Sequence, residues 1–181
     1  MSPGRVHRRF ISGPRKLLGL LVLVVAGYVF SLFMLGKVMT FQIEGASMAP
    51  ALLEGDHVFV DLTLDEPLAH GDIVIFPDPR EFIEDDILVK RVIGLPGDRI
   101  EVRHHRILVN GVPERLPGQS DPRVMDLDDD EFTLGEGQLY LLGDNRPVSL
   151  DSTELQAIRI ESVIGRVTFC YWPMARFGHV N

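Results

Sequence analysis

The sequence predicts a mainly antiparallel β domain behind one N-terminal transmembrane helix. Residues 17–35 form a run of 19 without a charge, broken only by Gly19, Gly27, Tyr28 and Ser31. Beyond it, short β-rich runs are separated by Gly, Pro and Asp, with none of the helical segments that would alternate with strands in βαβ units. Charge divides at the same place. Residues 1–37 carry six of the 18 Lys and Arg and no acid, so the rest of the chain holds all 26 acids and a net charge of −14.

Taken in order, residues 1–16 form a basic tail rich in Gly and Pro, expected on the cytoplasmic side. Residues 17–36 are expected to span the bilayer, since a helix of about 20 residues matches the hydrocarbon thickness. A cleaved secretory leader has a shorter apolar region ending in a small-x-small site, and Phe33-Met34-Leu35-Gly36-Lys37 offers none. Arg5, Arg8, Arg9, Arg15 and Lys16 precede the run and only Lys37 follows it directly. That asymmetry keeps the N-terminus inside and sends residues 37–181 across, giving a single-pass protein of the cell membrane with its domain on the outer side.

Strands are expected at 38–43, 57–61, 72–76, 88–93, 99–103, 107–109, 138–142 and 164–171, with turns at Leu95-Pro96-Gly97-Asp98 and Asn110-Gly111. His104-His105 falls in a hairpin turn. Residues 113–137, with Asp126 and Asp128-Asp129-Asp130-Glu131, read as a solvated acidic loop without the ligand order of a calcium site. No Gly-rich phosphate loop, CxxC or HExxH occurs, so neither a metal nor a cofactor is expected. The acidic balance disfavours nucleic acid as a partner. The single cysteine, Cys170 in an apolar string, permits no intrachain disulfide and reads as a small buried hydrophobe.

Two residues carry candidate chemistry. Ser47, in the turn Gly45-Ala46-Ser47-Met48-Ala49-Pro50, lies about ten residues after the apolar run. A serine hydroxyl is a weak nucleophile unless a base takes its proton, and no histidine here sits in a Ser-His-Asp setting. Lys90, within Ile87-Leu88-Val89-Lys90-Arg91-Val92-Ile93, has apolar neighbours that could desolvate its amine and lower its pKa. By itself, a strand lysine belongs on the solvent face. Phe41, Ile43, Met48 and Pro50 could line a substrate groove, rest on lipid headgroups, or pack in the core, since all three use the same residue types.

Four segments in order settle the weighting. They are Gly45-Ala46-Ser47-Met48-Ala49-Pro50; Gly71-Asp72-Ile73-Val74-Ile75-Phe76; Val89-Lys90-Arg91-Val92-Ile93-Gly94-Leu95-Pro96-Gly97-Asp98; and Leu142-Gly143-Asp144-Asn145-Arg146-Pro147-Val148-Ser149-Leu150-Asp151-Ser152. Together they closely resemble type I signal peptidases, membrane-tethered β-rich enzymes that cut signal peptides from exported precursors with a Ser/Lys dyad. The resemblance implies Ser47 as nucleophile and Lys90 as general base. It gives Ser149 a hydrogen bond to the lysine amine, and makes Asp151, Asp144 and Arg146 the support of that segment. Signal peptides with small residues at the first and third positions before the cut, and the lipid bilayer, are the implied partners.

An Arg91–Asp144 ion pair is a further expectation. The chain departs from the pattern twice. Gly45 stands where some members carry a serine that helps the oxyanion, and Thr153 stands where an arginine often partners the aspartate. Arg159 is the expected substitute for that arginine. A dedicated maturation protease with few clients and a catalytically silent, membrane-anchored binding module remain alternatives.

Overall fold

The computed structural model describes residues 13–80, 86–104, 106–114 and 128–180. The chain divides into two compact units, Met1–Lys37 and Val38–Asn181. In the first, helix α1 (Gly13–Met34) contains the apolar run. At 22 residues it is about 33 Å long, enough to cross a bilayer. It ends in a Schellman cap: Gly36, at φ 64, lets the Gly36 and Lys37 N–H groups donate back to the Phe33 and Leu32 carbonyls at 3.1 Å. The helix therefore stops two residues short of the expected 17–36 boundary. The tail before residue 13 lies outside the described residues.

The second unit holds β1 (Val38–Gln42), β2 (His57–Asp61), β3 (Ile73–Pro77), β4 (Ile87–Gly94), β5 (Arg99–Arg103), β6 (Arg106–Val109), β7 (Val112–Pro113), β8 (Asp130–Thr133), β9 (Gln138–Leu142), the one-turn helix α2 (Ser152–Leu155), β10 (Ile158–Arg159), β11 (Gly165–Trp172) and β12 (Gly178–His179). All pairings among them are antiparallel. The larger sheet runs β1-β2-β11-β3-β4-β9-β10, with β12 on β11; the smaller runs β7-β6-β5-β8. Strand alternation sorts the core. Ile73 and Ile75 of β3 join Ile43, Met48 and Leu52 on one face, whereas Val74 and Phe76 join Val92, Leu139 and Leu141 on the other. Tyr140 and Leu142 of β9 close the smaller sheet over Ile100, Val102 and Ile107.

All eight expected strands form, to within a residue or so at their ends. The acidic stretch 113–137 differs from expectation. Residues 115–127 lie outside the described residues, but Asp130–Thr133 is a strand, β8, paired to β5. Phe132 packs against the core while Glu131 meets Arg99 and Arg103 on the exposed side. Acid content is unfavourable for a strand in isolation, and here Glu131 is neutralised across the sheet. Cys170 is buried, and burial pushes its thiol pKa up.

Candidate active site

The turn that carries Ser47 leaves β1 at Gln42 and is held by core burial on both sides of Ser47. Ile43, Met48 and Leu52 are each at most 3% exposed, so they plug the turn into the β2–β3–β11 face while Ser47 stays half-buried. This corrects part of the sequence reading. Of the four apolar residues expected at a groove or lipid surface, Ile43 and Met48 are core residues, Phe41 is half-buried and Pro50 is exposed. The turn needs the anchors more than it needs a greasy rim.

β4 brings in the amine. Lys90 pairs across from Val74 and is 2% exposed. Its Nζ lies 3.1 Å from Ser47 Oγ and donates to the Val89 carbonyl at 2.9 Å. Burial pushes its pKa down to about 8, against an opposing pull from the Asp151 and Asp78 carboxylates. Removing water from an ammonium without a carboxylate in contact disfavours the charged form. The amine therefore gives up its proton more readily than a solvated lysine, and the hydroxyl that it faces is Ser47.

Next to it, Arg91 is treated oppositely. Its Nε and Nη2 donate to the two Asp144 carboxylate oxygens at 2.9 and 2.7 Å, and Nη1 donates to the Gly71 carbonyl at 2.7 Å. The expected Arg91–Asp144 pair thus forms, buried and bidentate. It ties together three of the four segments singled out in the sequence, those holding Gly71, Arg91 and Asp144.

The segment after β9 supplies the remaining support. The Asp151 carboxylate accepts the Gly143 N–H at 2.9 Å and, through its other oxygen, the Thr153 N–H and hydroxyl at 3.1 and 2.9 Å. Asp151 thereby caps α2. Arg159 is not its partner: that guanidinium binds Glu161 at the surface. Thr153, the residue that breaks the common pattern, is the one that satisfies the aspartate.

Arg146 Nε donates to the Gly143 carbonyl at 2.9 Å, and its Nη2 donates to Glu114 at 2.7 Å in a buried ion pair. Ser149 departs from expectation. Its Oγ is buried without a hydrogen-bond partner among the described residues, so the expected bond to Lys90 is not formed. The hydroxyl instead lies over Gly143. A Cβ added there would fall 2.1 Å from Ser149 Oγ and 2.6 Å from the Ser47 carbonyl oxygen, so only glycine admits this approach.

Sequence reasoning missed three site residues. Asn145 donates from its backbone N–H to the Ser47 carbonyl at 2.9 Å and from Nδ2 to the Ala46 carbonyl at 3.1 Å. Arg176 binds Asp56 Oδ2 at 2.8 Å and the Pro50 and Ala51 carbonyls at 3.2 and 2.6 Å, fastening the far end of the turn. Glu114 is the partner of Arg146. Only Asn145 carried a signal, its place inside the Gly143-Asp144-Asn145-Arg146 turn. Among the described residues, no group of three or more His, Cys, Asp or Glu is placed to hold a metal ion.

Residues 15–172 match a family model described as signal peptidase, peptidase S26. The chain is 32% identical over 185 residues to signal peptidase IB of Staphylococcus aureus, covering 91% of this chain and 94% of that protein. It is 36% identical over 151 residues to signal peptidase I of Bacillus caldolyticus, covering 76% and 81%. A solved signal peptidase I from Enterococcus faecalis V583 aligns at 29% identity with a TM-score of 0.47, over 57% of this chain and 98% of that one.

Proposed function

This chain belongs to the signal peptidase family, peptidase S26, and we propose that it removes signal peptides from precursor proteins with Ser47 as nucleophile and Lys90 as general base. The observation that carries the dyad is the 3.1 Å approach of Lys90 Nζ to Ser47 Oγ, with the amine pKa brought down to about 8. Ser47 Oγ attacks the scissile carbonyl carbon while its proton passes to neutral Lys90. This leaves a tetrahedral oxyanion and an ammonium. Collapse breaks the C–N bond, and the ammonium protonates the leaving amine. Water then attacks the ester with Lys90 again as base, and the proton returns to Ser47 Oγ as the acid product leaves. The Ser47 backbone N–H is the natural donor to the oxyanion.

Asp144 and Arg146 hold the Gly143–Arg146 turn, and Asp151 holds Gly143 from the other side. We assign Ser149 to the charged intermediate. A buried hydroxyl without a partner is destabilising, and the Lys90 ammonium is the charge that its oxygen would accept from.

We further propose that α1 anchors the chain with its N-terminus inside, a reading supported by the cation asymmetry of residues 1–37. A signal peptide remains in the bilayer and exposes its cleavage site nearby, so confining Ser47 to the same membrane raises the effective concentration of substrate. The test uses detergent-solubilised full-length protein and a precursor with an Ala-x-Ala cleavage site. Wild type is expected to cut it, and Ser47→Ala and Lys90→Ala to leave it whole; equal cleavage by all three would remove the dyad and favour another nucleophile.

A further inference from the structure

Gly45 leaves no side chain two residues before the nucleophile, at φ 76. Among the described hydrogen bonds the Ser47 N–H donates to no protein acceptor, so it is available to a developing oxyanion. A single free N–H is useful only if its direction is fixed. In a trans peptide the C=O and N–H lie in one plane and point in opposite directions. Holding the Ala46 carbonyl therefore aims the Ser47 N–H. Asn145 Nδ2 holds that carbonyl at 3.1 Å, and the carbonyl, which can only accept, fixes which end of the amide faces it.

The following peptide is fixed from the same residue, because the Asn145 backbone N–H binds the Ser47 carbonyl at 2.9 Å. A side chain at position 143 would crowd that same carbonyl, since an added Cβ would fall 2.6 Å from its oxygen, so glycine leaves the hydrogen bond undisturbed.

We infer that Asn145 is a positioning residue for the oxyanion donor, holding the Ala46–Ser47 peptide plane so that the Ser47 N–H points at the reacting carbonyl oxygen. The inference rests on the Ser47–Lys90 reading. Asn145 does more than hold a direction. An amide whose oxygen accepts a hydrogen bond is polarised into a stronger N–H donor, by about 10–30% per linked bond. The gain grows with the negative charge on the substrate oxygen, so it acts on the transition state rather than on bound substrate. This is how the chain works without a serine at position 45.

Asn145→Ala and Asn145→Asp test it, on the full chain in detergent with the Ala-x-Ala precursor. Both keep the backbone N–H, and neither can donate from the side chain to the Ala46 carbonyl. The expected result is a fall in kcat of roughly 10- to 100-fold, below the loss seen when an oxyanion donor is removed outright. KM is unchanged, and the pH midpoint of kcat for Asn145→Ala stays where Lys90 sets it.

A peptide aldehyde forms a hemiacetal on Ser47 whose oxygen occupies the oxyanion position. Its affinity is expected to fall by the same factor as kcat/KM, while a reduced-amide peptide, which has no such oxygen, binds as before. Unchanged kcat, a change confined to KM, or equal weakening of both inhibitors overturns the inference. So does unfolding of both variants by thermal melting, since a residue that only aims one peptide plane leaves the fold standing. If wild type fails to cut, or Ser47→Ala still cuts, the dyad itself is wrong; if only the Asn145 variants behave as wild type, the dyad stands and this inference falls.

Discussion

The two faces of β4 treat two adjacent cations in opposite ways. Lys90 and Arg91 are 2% and 4% exposed, and strand alternation points them apart. On the Arg91 face, a bidentate carboxylate and a carbonyl meet the guanidinium, so the charge is kept. On the Lys90 face the amine touches a hydroxyl and a backbone carbonyl. The carboxylates of Asp151 and Asp78 act on it only from farther off and do not offset its burial. Asp78 itself is engaged by Arg80, which holds its carboxyl below the usual range. Burial with a matched counter-charge makes a structural cation. Burial without one lowers the amine pKa, as the proposed base requires.

The largest effect comes from making the Lys90 face behave like the Arg91 face. Lys90→Arg keeps a cation but cannot lose its proton in a protein. We expect a loss of about 10⁴ in kcat, the upper range for a positioned general base, at every pH. The wild-type rate should climb through pH 8 as the amine deprotonates. Initial rates from pH 6 to 10 decide it. A wild-type rate that is level across that range, or a Lys90→Arg enzyme that keeps its activity, would erase the distinction between the faces.

The next effect is on stability. Arg91→Met strands the buried Asp144 carboxylate and should cost about 3–5 kcal/mol, whereas replacing both partners, as in Arg91→Met with Asp144→Leu, should recover most of it. Urea unfolding of the single and double variants measures the difference. If the single variant is within experimental error of wild type, Arg91 is not the structural member of the pair.

Much of this contrast was legible in the sequence, because both residues lie in a short apolar strand and the Gly143-Asp144-Asn145-Arg146 turn offers one acid at the right place for Arg91. The β pattern was legible for the same reason: alternation is local. What could not be read depends on contacts between distant segments. Asp151 was expected to need an arginine, but its partner is two residues away in Thr153, at a helix cap too short to leave a periodic signal. β8 was hidden because Glu131 finds its counter-charges, Arg99 and Arg103, on the neighbouring strand. Ile43 and Met48 could have lined a groove or a core, and only the packing of β2, β3 and β11 decides between them.

The smallest effect separates the two faces by pH. The Lys90 amine titrates near 8 in the folded chain and near 10.5 when unfolded. Below pH 8 both states are protonated, and the folded state bears the full penalty of a buried ammonium. Between 8 and 10.5 the unfolded chain binds more protons, so stability rises with pH, by about 3 kcal/mol from this group. Lys90→Met removes the group, so it should be the more stable protein at pH 7, with the gap narrowing by about that amount at pH 10.5. Burial holds the Tyr140 hydroxyl protonated well above its ordinary range, which lowers stability at high pH, but in both proteins alike, so it cancels in the difference. Arg91→Met with Asp144→Leu serves as the control, because removing both members of the pair leaves no stranded carboxylate to titrate, and its gap to wild type should not move. A Lys90→Met gap that is equally flat would mean that the folded amine keeps its proton as long as the unfolded one does, and the two faces of β4 would differ in partners without differing in charge.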